Sequence, residues 1–191
     1  MSTMPVAAPM TAEEYLANPP DGRRCELVDG VVVVNEPRRL HQRVMFRLAL
    51  ALHNWTSEQP GRGEMSLPLD VLIDDHNVFA PDILWYAEGN LPADAAWPYP
   101  IPDLAVEIRS PSTWRYDIGA KKARYEQFGL PELWLVDTAG DVVMAFRRSS
   151  KKAPDFDVAV DFGRSETLTS PLLPGFALAL DTAFGSDEIA T

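Results

Sequence analysis

Two carboxylates in this chain stand where a bare charge is costly. Glu107 lies inside the apolar run Leu104-Ala105-Val106-Glu107-Ile108, and Asp82 follows Pro81 and precedes Ile83-Leu84-Trp85-Tyr86. Burying an ionised carboxylate is expensive unless it is paired, protonated or bound to a metal. Downstream, Lys121 falls in a helical stretch running from Asp117 to Phe128. Two acids on two strands, followed by a lysine on a helix, make a minimal site for a divalent cation.

Each member also has an ordinary explanation. An Asp after Pro is commonly a turn cap. Proline suits a strand start or bulge because it donates no ladder hydrogen bond. Side chains alternate along a strand, so Glu107 and Arg109 share a face and form a carboxylate–cation pair. Surface strands often carry such pairs, but the sequence around this one is too apolar for an exposed strand. At about 100° per residue, Ile118, Tyr125 and Phe128 fall in one sector roughly 80° wide, with Lys121 inside it and Lys122 beyond its edge. If that sector packs on a sheet, Lys121 either snorkels to solvent or meets a carboxylate. Lys121→Ala is then expected to abolish activity with the thermal midpoint barely moved, and Lys122→Ala to do neither.

The elements that must position these residues are legible. Thr11-Ala12-Glu13-Glu14 has the form of a capping box and predicts a short helix over 12–17, stopped by Asn18-Pro19-Pro20-Asp21-Gly22. Arg24–Val28 and Val31–Asn35 flank Asp29-Gly30, a hairpin signal. Leu40, Val44, Leu48, Ala51, Leu52 and Trp55 recur with helical spacing and predict a long amphipathic helix over 38–57. Strands are expected over Met65–Ile73, Val78–Tyr86, Leu104–Arg109, Leu133–Asp137 and Val142–Arg147, with Phe156–Val160 and Glu166–Thr169 extending the sheet. The proline-rich stretch from Ala87 to Pro102 reads as a surface loop near the site, and Pro174–Leu180 as a packed apolar tail.

Composition narrows the function class. The chain has 191 residues, 46% hydrophobic and 24% charged, which are ordinary values for one globular domain over 1–191, with flexible ends at 1–10 and 185–191. No apolar run is long enough for a membrane span, and the first residues lack the pattern of a signal peptide. The single cysteine, Cys25, excludes an internal disulfide and a cysteine-rich zinc site. The expected setting is cytoplasmic. A net charge of −11 argues against general affinity for nucleic acid. Basic residues are nevertheless clustered. Arg39, Arg43 and Arg47 recur at i, i+4, i+8 on the long helix, and Arg147, Arg148, Lys151 and Lys152 form a second group. A solvated helix face and a basic loop are the commoner reasons for such patterns.

The order of motifs is more specific than any one of them. Pro81-Asp82, then Val106-Glu107-Ile108-x-Ser110-Pro111-Ser112, then Asp117-x-x-x-Lys121-x-x-x-Tyr125, are closed by Gly129-Leu130-Pro131-Glu132-Leu133-Trp134-Leu135-Val136-Asp137. Glu26-Leu27-Val28-Asp29-Gly30 precedes them and Leu172-Leu173-Pro174-Gly175-Phe176 follows. This series resembles the bacterial Uma-type restriction endonuclease family of the PD-(D/E)XK nuclease superfamily, over nearly the whole chain. The resemblance implies an α/β (α+β) fold with a mixed central sheet flanked by helices and an N-terminal hairpin. It implies a metal-dependent endonuclease acting on DNA, with a homodimer as a further expectation. Asp82 and Glu107 would hold Mg²⁺ or Mn²⁺, with the Ile108 carbonyl as a further ligand and Glu26 assisting from the cleft mouth or serving the turn. Lys121 would orient the attacking water or neutralise the phosphate. Arg109 is a departure, since the superfamily's usual lysine stands at that place. Arginine cannot act as a base but can clamp a phosphate. His41 and Tyr125 are second-tier candidates, with Tyr125 reading mainly as core. A nuclease-fold module that no longer cuts and serves in protein association is the alternative, and a small-molecule phosphohydrolase is a third reading.

Overall fold

A computed structural model describes residues 8–18 and 24–185. The stop at Asn18–Gly22 and the ends expected to be flexible lie largely outside those residues. Met10, inside the expected flexible end, is held: its N–H donates to Gly30 O at 3.0 Å, and its carbonyl lies 2.9 Å from His76 Nδ1.

Helix α1, Ala12–Ala17, starts at the expected capping box, with Thr11 Oγ1 accepting from Glu14 N and Glu14 accepting in return from Thr11 N. Strands β1 (Cys25–Val28) and β2 (Val31–Val34) form the hairpin. Its turn residues Asp29 and Gly30 both have positive φ, 48° and 74°, as a tight primed turn requires. Helix α2, Arg39–Glu58, buries His41, Val44, Leu48, Leu52 and Trp55 along one stripe.

The two long strands expected from 65 to 86 are each broken. The chain forms β3 (Glu64–Ser66), β4 (Val71–Asp74), β5 (Asn77–Phe79) and β6 (Ile83–Tyr86). They are the arms of one bent hairpin: β4 pairs with β5, and β3 pairs with β6. The bends fall at Leu67-Pro68 and Pro81-Asp82, where proline cannot continue the ladder. The inner arms join a four-stranded sheet in the order β2-β1-β5-β4, and the outer arms enter the main sheet. Asp82 therefore sits at the step between two sheets.

The main sheet continues through β7 (Leu104–Ile108), β8 (Glu132–Asp137), β9 (Val142–Arg147) and β10 (Val158–Gly163), in the order β10-β9-β8-β7-β6-β3. Only β7 and β8 run parallel. The crossover between them is a helical run: α3 (Trp114–Tyr116), a π turn over Asp117–Lys121, and α4 (Lys122–Gln127). Segment 166–169 does not extend this sheet as expected. Its strand β11 (Thr167–Leu168) pairs instead with β12 (Leu178–Ala179), before α5 (Leu180–Phe184).

Two cores cover the sheet. Leu104, Val106 and Ile108 of β7 pack with α2, Trp134, Phe176 and α5. Ala105 packs on the other face with Tyr125, Leu133, Leu135 and Phe79. Period-two alternation puts Glu107 on that second face, beneath the crossover helix. The mixed sheet with flanking helices and an N-terminal hairpin matches the expected architecture. Among the described residues, no helix is long and apolar enough to cross a membrane.

Candidate active site

Lys121 is the centre of a buried ionic cluster. Its side chain is 1% exposed, and its Nζ lies 2.7 Å from Glu26 Oε1 on β1 and 2.7 Å from Glu107 Oε1 on β7. Asp117 Oδ1, one turn earlier, is 3.3 Å away. Between the two readings open for this lysine, the structure has it meeting carboxylates. Tyr125 completes the row, its hydroxyl donating to Glu107 Oε1 at 2.8 Å. Its ring packs edge-on against Phe79, which also lies 5.4 Å from the Lys121 ammonium.

Lys121 and Tyr125 lie on the packed face as the helical spacing predicts, but that face is narrower than expected. Ile118 is 47% exposed and Phe128 39%, so neither belongs to the packed sector. Asp117, Lys121 and Tyr125 face inward instead. These three stand at i, i+4 and i+8, the spacing of one helical face, whereas Ile118 and Phe128 mark the two edges of the expected sector and Phe128 lies past the end of α4. Lys122 is turned elsewhere, its ammonium 4.5 Å from the centre of the Phe146 ring.

Asp82 lies alongside. The pairing of Ile83 with Val106 places Asp82 next to Glu107 one step further along the two strands. Its Oδ2 accepts from the Ile108 backbone N–H at 2.8 Å and lies 3.0 Å from His41 Nε2 of α2. Its Oδ1 accepts from Arg24 Nη2 at 3.0 Å. Glu26 is fixed in the same manner, accepting from the Ala80 backbone N–H at 2.6 Å in the bend before Asp82. The proline bend thus serves both acids, freeing one backbone N–H for Glu26 and aiming Asp82 across the sheet step.

Arg109 is not brought into this cluster. Its guanidinium bonds Asp137 at 2.8 Å and lies over the Trp114 ring. Of the basic stripe, Arg39 is exposed while Arg47 donates to Ala183 O. In the second basic group, Arg148 bonds the carbonyls of Leu130, Ala153 and Glu126, and Arg147 pairs with Glu132, so both serve the fold. Sequence reasoning missed Asp117 and Arg24 as members of the site. Asp117 had a signal, since it stands four residues before Lys121 in a motif already singled out. Arg24 had none, because its pairing with Asp82 spans 58 residues.

The charges do not balance within the cluster. Glu26, Glu107 and Asp117 surround one ammonium, all of them nearly inaccessible. Burial pushes the Glu107 carboxyl well above the usual carboxylate range, and Asp117, Glu26 and Asp82 add to the rise while Lys121 opposes it. Burial likewise raises Asp117 to about 6 against the pull of Lys121. For Lys121 burial favours the neutral amine, but Glu107, Glu26 and Asp117 outweigh it and hold the ammonium well above its ordinary value. Burial and the Glu107 charge keep the Tyr125 phenol protonated, as a hydrogen-bond donor.

A stability prediction follows from the raised carboxyls. A group whose folded pKa lies above its unfolded value stabilises the protein most when protonated, and that contribution is lost as pH rises through the folded pKa. For Asp117 the loss occurs between its ordinary 3.8 and about 6, and Glu107 acts in the same direction. In chelator, the urea midpoint is expected to fall between about pH 4 and about pH 6, and Asp117→Asn to reduce that fall. A variant with the wild-type slope would remove Asp117 as its source.

The sequence model of a family described as "Uma2: putative restriction endonuclease" matches residues 12–181. The chain belongs to the Uma2 family. A similar solved structure, at 1.96 Å, is described as a "putative nuclease belonging to DUF820" from Anabaena variabilis. The two share 17% identity over 92% of this chain and 98% of that one, with a TM-score of 0.73. At that identity the likeness shows a common fold. No curated protein matches the chain.

The donor chemistry of this Uma2 site suits a hard divalent ion. Its acids offer only oxygen, the buried set carries more negative than positive charge, and Asp117 Oδ1 is a buried acceptor without a hydrogen-bond donor. Among the described residues, no three Asp, Glu, His or Cys side chains form a group arranged to hold a metal ion. The Lys121 ammonium holds the place between Glu26 and Glu107.

Proposed function

We propose that this chain is a divalent-metal-dependent endonuclease that hydrolyses DNA phosphodiester bonds with Mg²⁺ or Mn²⁺. The observation that supports it most is the surplus of buried carboxylates around Lys121, beside Asp82, in a chain of a restriction-endonuclease family. Asp82 and Glu107 would hold the ion, with the Ile108 carbonyl and Glu26 as further ligands. Such an ion supplies Lewis acidity toward the phosphate and lowers the pKa of a bound water. Arg24, His41 and the Ile108 N–H keep Asp82 oriented, as outer partners of metal ligands commonly do. Lys121 stays an ammonium, so its role is to neutralise charge on the phosphate rather than to take a proton. Arg109, held by Asp137 at the end of the neighbouring strand β8, is placed to clamp a phosphate only if that pair opens.

Burial favours the second reading, a silent module acting in protein association. Glu107 is 3% exposed and Lys121 1%, so substrate has no open path to them in this conformation. Incubating supercoiled plasmid with Mn²⁺ and wild type beside Glu107→Ala decides between the two. Nicking by wild type alone supports the enzyme; an intact plasmid with both supports the module. Sedimentation of the same preparation tests the expected homodimer.

DNA binding in this reading uses the α2 stripe, which begins two residues from His41 at the site. Arg43→Glu is expected to weaken duplex binding and to flatten its log–log salt slope by about 1 for each phosphate no longer neutralised. An unchanged slope would remove that face from the interface.

A further inference from the structure

The Lys121 ammonium has a third anionic neighbour, ion-paired with it but not hydrogen-bonded. The ammonium lies 2.7 Å from Glu26 Oε1 and 2.7 Å from Glu107 Oε1, whereas Asp117 Oδ1, at 3.3 Å, is near it without a hydrogen bond. That oxygen has no hydrogen-bond donor at all, although Asp117 is 2% exposed. Its carboxylate is nonetheless fixed. Oδ2 accepts from Thr113 Oγ1 at 3.0 Å, and that hydroxyl lies 2.8 Å from Ser110 Oγ at the end of the Glu107 strand. A buried acceptor left without a donor is costly, and a carboxylate more so. The π turn adds to the cost by displacing regular helical bonds, and such turns concentrate at functional sites. Asp117 and Lys121, four residues apart, lie on the same inward side.

We propose that Asp117 is a second seat for the Lys121 ammonium: when a dication takes Glu107, the ammonium moves onto Asp117 Oδ1 while keeping Glu26. This rests on the metal-dependent reading above. A dication at Glu107 repels an ammonium 2.7 Å from the same oxygen, and only a nearby anion keeps that charge in the site. Asp117 Oδ1, 3.3 Å away and without a hydrogen-bond donor, is that anion. Asp117 acts through Lys121 and is a positioning residue.

Calorimetric titration of metal-free, DNA-free protein with Mn²⁺ tests this. Asp117→Asn is expected to weaken Mn²⁺ by about 10–100-fold, the usual effect of losing an outer-sphere partner. In a Lys121→Met background the same change is expected to move the Kd by less than about threefold, because coupled residues lose their effect together. Equal weakening in both backgrounds would make Asp117 a direct ligand and overturn the second seat while leaving the metal site standing. An unchanged Kd in the Lys121 protein would overturn it as well. A wild type that binds no Mn²⁺ would overturn both the seat and the metal-dependent reading. A further measurement needs no lysine variant. In protein labelled with ¹⁵N-lysine, Mg²⁺ is expected to shift the Lys121 Nζ resonance yet leave it protected in wild type, and to expose it to solvent exchange in Asp117→Asn. A resonance that Mg²⁺ does not shift in wild type would sink the proposal.

Discussion

Glu107→Gln is expected to abolish Mn²⁺-dependent nicking of supercoiled plasmid while leaving the metal-free protein at least as stable as wild type near pH 8. The two halves have separate causes. A metal ion contributes several kcal/mol of transition-state charge stabilisation, and each 1.36 kcal/mol is tenfold in rate, so losing its ligand costs about a thousandfold. The fold, by contrast, holds this carboxyl at a raised pKa because burial disfavours its charge. An amide of the same shape removes that charge, retains an oxygen for the Tyr125 hydroxyl, and leaves Lys121 with Glu26 and Asp117. Removing one member of an oversupplied buried acidic set is therefore neutral or stabilising. Plasmid nicking and the thermal midpoint in chelator, measured on one preparation, check both. Retained nicking would mean that Glu107 does not hold the ion, and a midpoint well below wild type would give it a structural role.

The parts of this fold that follow local rules were legible in the sequence. The capping box at Thr11, the Asp29-Gly30 turn and the apolar stripe of α2 each express one local preference, and each forms where expected. Glu107 and Lys121 stood out because their types clash with their apolar surroundings, and that clash is resolved here by mutual pairing. What the sequence hid depends on tertiary partners. Segments 65–73 and 78–86 read as two unbroken strands, because nothing local says that Pro68 and Pro81 mark a passage between two sheets. The face of the crossover helix was misassigned at Ile118 and Phe128, the two edges of the expected sector, because the width of a packed face is set by what covers it. Asp82 could be read as a candidate, but its anchoring by Arg24 and His41 comes from distant parts of the chain.

Lys121→Met is expected to lose stability as well as cleavage, which revises the sequence-based expectation of a nearly unmoved thermal midpoint. That expectation treated the lysine as the charge partner of the Asp82 and Glu107 carboxylates, needed for catalysis more than for folding. The structure makes it the shared cation of Glu26, Glu107 and Asp117, and removing it leaves three buried carboxylates without it. Breaking a buried pair from one side costs about 3–5 kcal/mol. For a domain of this size, each kcal/mol moves the midpoint by roughly 2–4 °C, so a drop of roughly 6–20 °C is expected near pH 8. The deficit is expected to shrink toward pH 5, because the stranded carboxyls take up protons and lose their charge as pH falls through their raised folded pKa values. Lys122→Met, which removes an ammonium set against Phe146 rather than against an acid, is the control and is expected to leave the cluster intact. Mn²⁺ makes the test sharper. An ion that takes over the neutralisation lost with Lys121 stabilises the folded state by RT ln(1 + [Mn²⁺]/Kd), and without a competing ammonium its Kd is lower. Mn²⁺ is therefore expected to raise the midpoint of Lys121→Met more than that of wild type. An equal rise in both proteins would mean that the ion and the ammonium do not compete for Glu107, and that the cluster around Lys121 is a structural ion network apart from any metal site.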